Sequence, residues 1–174
     1  MGLPSLSAIS FNGSHKDKKY VLSSINGATC VKASNESTIV VIGGFLNASA
    51  VANIANEIQK EKNINITVIA CGERWKNKEE VKELRPSIED YLGAGIILER
   101  LNGTKSPEAK ICISAFQNSK KEIFELIADS GSGRELIKMG FPEDIKFSCQ
   151  IDLFNEVPIL VKDEKGEMYF KKYI

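Results

Sequence analysis

The sequence lacks the features that mark several common functional classes. Its 23 Lys and Arg residues balance 23 Asp and Glu residues, so there is no overall basic field to attract nucleic acid. No stretch approaches the roughly 18 apolar residues of a membrane span, and the first residues do not form a secretion signal. We therefore expect a cytoplasmic protein with neither nucleic acid nor a membrane as partner.

Metal-ligating and redox motifs are also scarce. The sequence has one histidine, and its four cysteines form no C-x-x-C pair or zinc pattern. Buried, reduced thiols are the plain interpretation of such spacing. There is no internal repeat and no low-complexity segment, and 174 residues suffice for one domain with a sizeable core. We expect residues 1–174 to form a single domain.

Short apolar runs alternate with stretches of helical period. The runs cover residues 20–22, 38–42 and 64–70 and are rich in β-branched side chains. Such alternation is typical of βαβ units, and it predicts a three-layer α/β/α fold with a largely parallel central sheet. The three runs should be neighbouring strands in it. Because residues 38–42 are apolar throughout, we expect that strand to be covered on both faces.

Capping chemistry and periodicity predict the helices. One helix is expected over residues 47–59 with Asn47 as N-cap, and another after Ser87. Three more starts are predicted at Ser106 before Pro107, at Ser119 with Glu122, and at Ser132 with Glu135, the last helix ending at Gly140. A hairpin is expected from residues 158–161 and 168–170 around a turn at 163–166.

The residues that follow the first predicted strand could bind an anion. In an open parallel sheet ligands bind beyond the carboxyl ends of the strands. Here these residues include Ser23, Ser24, Asn26 and Gly27, which offer hydroxyl, amide and backbone N–H donors at a strand-to-helix turn. An ordinary Asn-Gly turn is the alternative interpretation.

The next two predicted strands deliver small and polar residues to the same edge. The second leads through two glycines to Asn47, and the third leads to Cys71 and Gly72. Glycines allow a ligand to approach the backbone closely, but a tight turn between strand and helix also needs them. Cys71 could be a thiolate at a strand end or a structural thiol, since no histidine lies near it in the sequence.

Two adjacent carboxylates, Glu89 and Asp90, open the helix that follows Ser87. They could hold a magnesium ion and so neutralise phosphate charge. Acids in a first helical turn also favour the helix dipole, which is the structural alternative. The polar connection over residues 73–85 is long enough to be a mobile or functional loop. Three arginines could bind an anionic substrate or lie solvated at the surface: Arg74, Arg85 and Arg134.

These segments, in this order, resemble the 2-phosphosulfolactate phosphatase family of coenzyme M biosynthesis. S-S-I-N-G-A at 23–28 resembles the family's T-T-T-N-G-T, and residues 44–52 resemble its G-x-x-N-A-x-A-V-A. The match continues to residue 158 through the strand ending at 72, the S-x-E-D at 87–90 and the segments at 93–95, 130–136 and 144–152.

The resemblance implies a magnesium-dependent phosphatase that converts 2-phospho-3-sulfolactate to 3-sulfolactate. On this basis Ser23, Ser24, Asn26 and Gly27 would cradle the phosphoryl group, with Cys71 and Gly72 also at the substrate. Asn47 would orient the phosphoryl group, and Glu89 with Asp90 would hold the metal or activate water.

Two departures from the family pattern leave a second interpretation open. The family's N-terminal strand and its G-E-R turn, with an acidic residue and an arginine, have no counterpart, and Ala28 replaces a threonine. A shortened relative could therefore bind an anionic metabolite without turnover or act as a subunit of an assembly. An open sheet without these strands would expose apolar surface, so we also expect a homo-oligomer.

Overall fold

A computed structural model describes residues 7–11, 15, 18–21, 25–34, 39–74 and 83–173. Within these ranges the chain is a mixture of helices and short antiparallel strands. The α-helices are α1 (Ile25–Ala33), α2 (Ala48–Lys62), α3 (Ile88–Arg100), α4 (Pro107–Ser119), α5 (Ile123–Asp129), α6 (Gly131–Lys138) and α7 (Pro142–Ser148). The strands are β1 (Glu73–Arg74), β2 (Leu84–Arg85), β3 (Pro158–Lys162) and β4 (Met168–Lys172).

Helix α3 is the centre of the core. Ile96 on α3 is fully buried, as are Ala52 on α2 and Phe116 on α4, and all three helices belong to one continuous hydrophobic cluster. Helices α3 and α4 approach so closely that a Cβ atom on Gly95 would lie 2.6 Å from the carbonyl oxygen of Cys112. This close packing fixes α3, whose first turn carries Glu89 and Asp90.

Several predicted helix starts are confirmed. Helix α2 has Asn47 at its N-cap position, and α3 begins after Ser87. At the start of α4 the Ser106 hydroxyl accepts a hydrogen bond from the backbone N–H of Ala109, as a capping serine should. Gly140, at φ +87°, follows the end of α6 as expected.

Two predicted helix starts are wrong by a few residues. Ser119 is the last residue of α4, and α5 begins after Glu122. Helix α6 is capped by Ser130, whose hydroxyl accepts from the N–H of Gly133, and Ser132 lies inside the helix. The S-x-x-E spacing at Ser119 and at Ser132 therefore occurs without the capping contact. A serine caps a helix only where its hydroxyl reaches a free N–H of the first turn. Helix α7 was not predicted.

The C-terminal hairpin is confirmed, with β3 and β4 paired from Pro158 opposite Lys172 to Lys162 opposite Met168. Its turn is closed by the Asp163 carboxylate, which accepts from the N–H groups of Lys165 and Glu167.

The predicted neighbouring parallel strands are not found among the described residues, where both sheets are two-stranded and antiparallel. The described part of the run 38–42 lies antiparallel to β3, with a bridge from Val41 to Ile159. Its Ile42 is 43% exposed, so the strand is not covered on both faces. Residues 64–70 form neither helix nor strand, and the run 20–22 extends beyond the described residues. An apolar run indicates burial, but it does not specify which chain segment will pair with it or in which direction.

Candidate functional site

The first turn of α3 carries the most strongly perturbed carboxylate of the predicted site. Asp90 stands at the third position after the N-cap Ser87, and the Ser87 hydroxyl and the backbone N–H of Gly72 lie near its carboxylate. Burial raises the pKa of Asp90 above its ordinary value, and the charges of Glu89 and Glu73 raise it further. The two donors, Ser87 and Gly72, lower the pKa and so oppose this shift. Asp90 is therefore a carboxylate with unusual affinity for a proton or a cation.

A left-handed glycine brings the neighbouring loop to Asp90. Gly72 has φ +72°, a conformation that side-chain-bearing residues rarely adopt. Directly after it, Glu73 pairs with Arg85 across the short β1–β2 ladder. The two strands close the base of the charged connection, of which residues 75–82 lie outside the described ranges. The loop thus presents a backbone N–H and a carboxylate at the N-terminus of α3.

Helix α1 contributes Asn26 to the same place. The Asn26 amide Nδ2 donates a hydrogen bond to Glu73 Oε1, which also accepts from the backbone N–H of Arg74 at 2.9 Å. The other amide atom, Asn26 Oδ1, is buried and has no hydrogen-bond partner among the described residues. Gly27 follows in the first turn of α1 and is partly exposed. The starts of α1 and α3 therefore meet on either side of the loop that carries Gly72 and Glu73.

Cys71 lies within this junction. The thiol of Cys30 on α1 and the carboxylate of Asp90 are both near enough to affect its pKa. Burial, the Cys30 contact and the Asp90 charge together raise the pKa of Cys71 to about 12. At neutral pH Cys71 is accordingly a neutral thiol, and it is not suited to act as an anionic nucleophile.

Glu89 faces a different direction from Asp90, as expected for adjacent residues on a helix. It lines a cavity of about 110 Å³ together with Phe45, Ser132, Asp144 and Ser148. Its Oε2 atom is buried without a hydrogen-bond partner among the described residues. Burial raises the pKa of Cys149, and the charges of Glu125 and Glu89 add to the shift. In the described ranges no group of three or more His, Cys, Asp or Glu side chains is arranged to hold a metal ion.

Asn47 is occupied by structural contacts. Its Oδ1 atom accepts from the N–H of Gly44 at 3.0 Å, while its Nδ2 atom donates to the carbonyl oxygens of Glu156 at 3.0 Å and Ile42 at 3.4 Å. These bonds connect the loop at residues 42–47 to the segment before β3. Gly44 in turn lies 4.0 Å from the place where a Cβ of Gly93 would stand. The loop therefore crosses α3 one turn after Asp90.

The arginines differ in their surroundings. Arg134 is exposed and forms an ion pair with Asp129 at 2.7 Å, whereas Arg85 is only 7% exposed and lies 3.4 Å from Glu135. A Cβ atom on Gly131 would come within 2.6 Å of the Arg85 guanidinium, so this glycine makes room for it. Arg85 thus anchors β2 to the start of α6. Ser23 and Ser24 lie outside the described residues.

Sequence reasoning missed two residues of this junction. Glu73 accepts a hydrogen bond from the Asn26 amide and raises the pKa of Asp90, and Cys30 raises the pKa of Cys71. Glu73 directly follows Gly72 at the predicted strand end, which is a signal that could have identified it. Cys30 lies four residues after Asn26, and this spacing places both on one face of a helix.

No helix in the described part of the chain is both long enough and apolar enough to cross a lipid bilayer.

Comparison with known proteins gives a consistent family signal. The model of the 2-phosphosulpholactate phosphatase family matches residues 6–163. The chain is 30% identical over 149 residues to a probable 2-phosphosulfolactate phosphatase of Pseudothermotoga lettingae, covering 85% of this chain and 60% of that protein. It is 32% identical over 148 residues to a probable 2-phosphosulfolactate phosphatase of Thermotoga maritima, covering 83% of this chain and 57% of the relative.

A third relative is the 2-phosphosulfolactate phosphatase of Methanocaldococcus jannaschii. The two chains are 25% identical over 154 residues, which is 88% of this chain and 61% of the relative. The matched region thus spans 57% to 61% of the length of these three relatives.

Proposed function

This chain belongs to the 2-phosphosulpholactate phosphatase family, and we propose that it hydrolyses 2-phosphosulfolactate or a related small phosphorylated acid. One observation carries the proposal. Asn26 at the start of α1 and Asp90 at the start of α3 are joined through the loop at Gly72 and Glu73. Two helix N-termini that meet at one loop supply N–H groups and positive dipole ends, which favour a phosphate anion.

In this proposal the substrate lies against the start of α1. The hydroxyls of Ser23 and Ser24, the Asn26 amide and the backbone at Gly27 bind the phosphoryl oxygens. Cys71 and Gly72 form the adjoining wall, where the neutral Cys71 thiol adds no repulsive charge. Asn47, whose amide hydrogen bonds hold the loop at residues 42–47, acts by keeping that loop in position. The unpartnered Asn26 Oδ1 is consistent with a polar ligand at this place.

Magnesium is the proposed cofactor, with Asp90 and Glu89 as its protein ligands. The type of donor suits the ion, because magnesium prefers carboxylate oxygens and is commonly held by one or two carboxylates together with substrate phosphate. Glu89 lines a separate cavity, so it would have to turn toward Asp90 to share the ion. Glu89 has an unpartnered buried oxygen, and the pKa of Asp90 is raised by burial and by neighbouring acids. When bound, a magnesium ion would neutralise charge on the phosphoryl oxygens.

The alternative role for Asp90 is that of proton acceptor in hydrolysis, since a carboxylate that holds the metal ion does not also take up a proton. A carboxylate whose pKa is raised is a stronger base than an ordinary one, which suits it to remove a proton from water. The water oxygen then bonds to phosphorus while the ester P–O bond breaks, and the leaving alkoxide takes up a proton to give the hydroxy acid.

The second candidate function is binding of an anionic metabolite without turnover. It is favoured by the described residues, among which no group of three or more His, Cys, Asp or Glu side chains is arranged to hold a metal ion. Loss of a single positioned electrostatic group can reduce an enzymatic rate by about 10²–10³-fold. A chain in which Glu89 and Asp90 do not share a metal ion would keep the anion site at α1 and lose the chemistry.

The finer features of fold and assembly are also part of the proposal. Family membership and the alternation of apolar runs with helices support a three-layer α/β/α fold with a largely parallel sheet. Ile64 and Ile69 are 37% and 59% exposed, which supports burial of this run in a homo-oligomer. The four cysteines are free thiols, which supports a cytoplasmic location.

A phosphate-release assay tests the function. The purified chain is incubated with 2-phosphosulfolactate, and separately with phospholactate and phosphoglycerate, with and without magnesium. Magnesium-dependent release of inorganic phosphate from at least one of these acids is the expected result. If none is hydrolysed while calorimetry detects binding of 2-phosphosulfolactate, the binding function replaces the phosphatase. Light scattering after gel filtration measures the oligomeric state in the same preparation.

A further inference from the structure

The cavity that Glu89 lines is large enough for a ligand. It measures about 110 Å³, several times the roughly 10–15 Å³ that one water molecule needs. Its polar lining consists of Glu89, Asp144, Ser132 and Ser148. The rest of the wall is Gly133 together with four apolar side chains: Phe45, Ile127, Leu136 and Ile145. The cavity therefore suits a molecule of several non-hydrogen atoms that has both a polar and an apolar part.

The walls of this cavity are held in place by contacts within the chain. Phe45 is 6% exposed and belongs to the hydrophobic core. Asp144 Oδ1 accepts a hydrogen bond from the Ser7 hydroxyl at 2.6 Å. The N–H of Gly133 is bonded to the Ser130 hydroxyl at 3.0 Å, which fixes the first turn of α6. The cavity is therefore preformed, and a ligand does not have to order its walls.

The charge in the cavity is negative and lacks a counter-charge among the described residues. Glu89 Oε2 is buried, and no described group donates a hydrogen bond to it. The ion pairs in the described part of the chain all involve other acids, so no Lys or Arg there neutralises Glu89 or Asp144. A buried carboxylate oxygen without a donor costs free energy that a cationic donor recovers. The same two charges repel an anion.

From this cavity we propose a binding site for a small primary ammonium compound, with its ammonium group at Glu89 and its alkyl part against the apolar wall. An ammonium group carries a positive charge and three N–H donors, which match a carboxylate with an unpartnered oxygen. The hydroxyl oxygens of Ser132 and Ser148 are further acceptors in the same cavity. Apolar walls with a few placed polar groups are the ordinary composition of a small-molecule site.

A divalent metal ion fits this lining less well. Magnesium takes oxygen ligands in near-ideal octahedral geometry. Here four apolar side chains form much of the wall, and the described residues contain no group of three or more His, Cys, Asp or Glu that could hold a metal. An alkyl chain uses the apolar wall, whereas a bare ion does not.

One consequence of the ammonium site rests on the proposed function. In that proposal Glu89 turns toward Asp90 to share a magnesium ion, whereas an ammonium compound holds Glu89 in the cavity. The two ligands therefore compete for one carboxylate. We expect a saturating ammonium compound to raise the magnesium concentration for half-maximal phosphate release by at least about fivefold.

Titration calorimetry of the full chain with propylammonium chloride tests the site itself. We expect saturable binding of one ligand per chain, with affinity rising about fourfold for each methylene from methylammonium to propylammonium. Propanol has the same length without the charge, and propionate has the opposite charge, so neither should bind measurably. Potassium chloride at matched ionic strength controls for screening.

Two variants locate the binding. Glu89→Gln keeps the size of the side chain but removes its charge, so it should weaken propylammonium binding at least about tenfold. Leu136→Phe fills part of the cavity and should also weaken binding, although Glu89 is intact. Asp129→Asn removes an exposed acid elsewhere and should bind like the parent chain. Far-UV circular dichroism establishes that each variant is folded, and if Glu89→Gln is not, Leu136→Phe decides.

The inference is overturned if propylammonium does not bind, if propanol binds equally well, or if the folded variants bind propylammonium as the parent chain does. It is also overturned if magnesium chloride alone binds in a manner that both variants abolish while propylammonium does not bind, since the cavity would then be a metal site. None of these outcomes depends on hydrolysis. A chain that releases no phosphate would lose the proposed phosphatase, and calorimetry would still decide the ammonium site. If the chain is active and bound propylammonium leaves its magnesium requirement unchanged, the competition for Glu89 is wrong.

Discussion

The backbone N–H of Gly72 lies near the carboxylate of Asp90 and lowers its pKa. This contact joins the loop that follows residues 64–70 to the first turn of α3. It brings a left-handed glycine to a carboxylate that is buried near two other acids. The junction therefore holds a negative charge at an energetic disadvantage, which a proton, a metal ion or a reacting group could relieve.

Replacement of Asp90 by asparagine should separate chemistry from stability. The amide oxygen of the new side chain would still accept from Gly72 and Ser87, but the amide could neither remove a proton nor supply a charged metal ligand. We expect Asp90→Asn to lower magnesium-dependent phosphatase activity by at least about 10²-fold, as for loss of one positioned electrostatic group. The melting temperature of the variant should equal or exceed that of the parent chain, since a buried charge with a raised pKa is removed.

Asp129→Asn is the matched control for this experiment. Asp129 is an exposed acid that pairs with Arg134 at the surface, so its loss should change neither activity nor melting temperature measurably. If Asp90→Asn unfolds the protein but the folded fraction retains full turnover, Asp90 caps the helix and has no chemical role.

The raised pKa of Asp90 also predicts a pH dependence of stability. The folded state holds the Asp90 proton more tightly than the unfolded state does, so this group stabilises the fold at pH values below its unfolded pKa. That contribution is lost as the pH rises from the ordinary carboxyl value of 3.8 through the raised folded pKa. Thermal melts from about pH 4 to about pH 7 should therefore show a downward trend that Asp90→Asn removes. Identical pH profiles for the two proteins would contradict the shift.

Helix positions could be predicted from the sequence because caps and periodicity are local properties. The starts of α2, α3 and α4 each depend on a residue immediately before the helix: Asn47, Ser87 or Ser106. The start of α7 has a comparable signal in Pro142 at its first position, but the seven-residue helix is too short to show an apolar period.

Strand pairing and the site contacts depend on distant residues and were not predictable in the same way. The pairing of Val41 with Ile159 brings together segments more than a hundred residues apart, and nothing in either run specifies the partner. Likewise Asn26, Cys71 and Asp90 were each recognised as candidates from local chemistry. The contact from Asn26 to Glu73 follows only from the way α1 lies against the loop.

Two glycines on α3 offer a paired test of the core that supports the site. A Cβ at Gly95 would lie 2.6 Å from the Cys112 carbonyl oxygen, whereas a Cβ at Gly93 would have no neighbour closer than 4.0 Å. We expect Gly95→Ala to cost about 1–3 kcal/mol of unfolding free energy, because the backbone of α4 must move. Gly93→Ala should be neutral or stabilise by up to about 1 kcal/mol through helix propensity. Chemical denaturation measures both, and equal effects would contradict the close α3–α4 contact.

Magnesium should stabilise the folded chain through the two acids at the start of α3. An ion that binds only the folded state at a concentration 100 times its dissociation constant contributes about 2.7 kcal/mol, which for a chain of this size raises the melting temperature by roughly 5–10 °C. Asp90→Asn and Glu89→Gln should each abolish most of this rise, because removing the charge of either carboxylate ligand weakens magnesium binding. Asp129→Asn should retain it, and potassium chloride at matched ionic strength controls for general screening of surface charge.

Since Glu89 and Asp90 point in different directions, the ion must draw the two side chains toward one place, and the Glu89→Gln result is the sharper measurement. If Asp90→Asn abolishes the rise while Glu89→Gln leaves it unchanged, Glu89 is not a ligand; if neither variant reduces it, magnesium binds elsewhere on the chain.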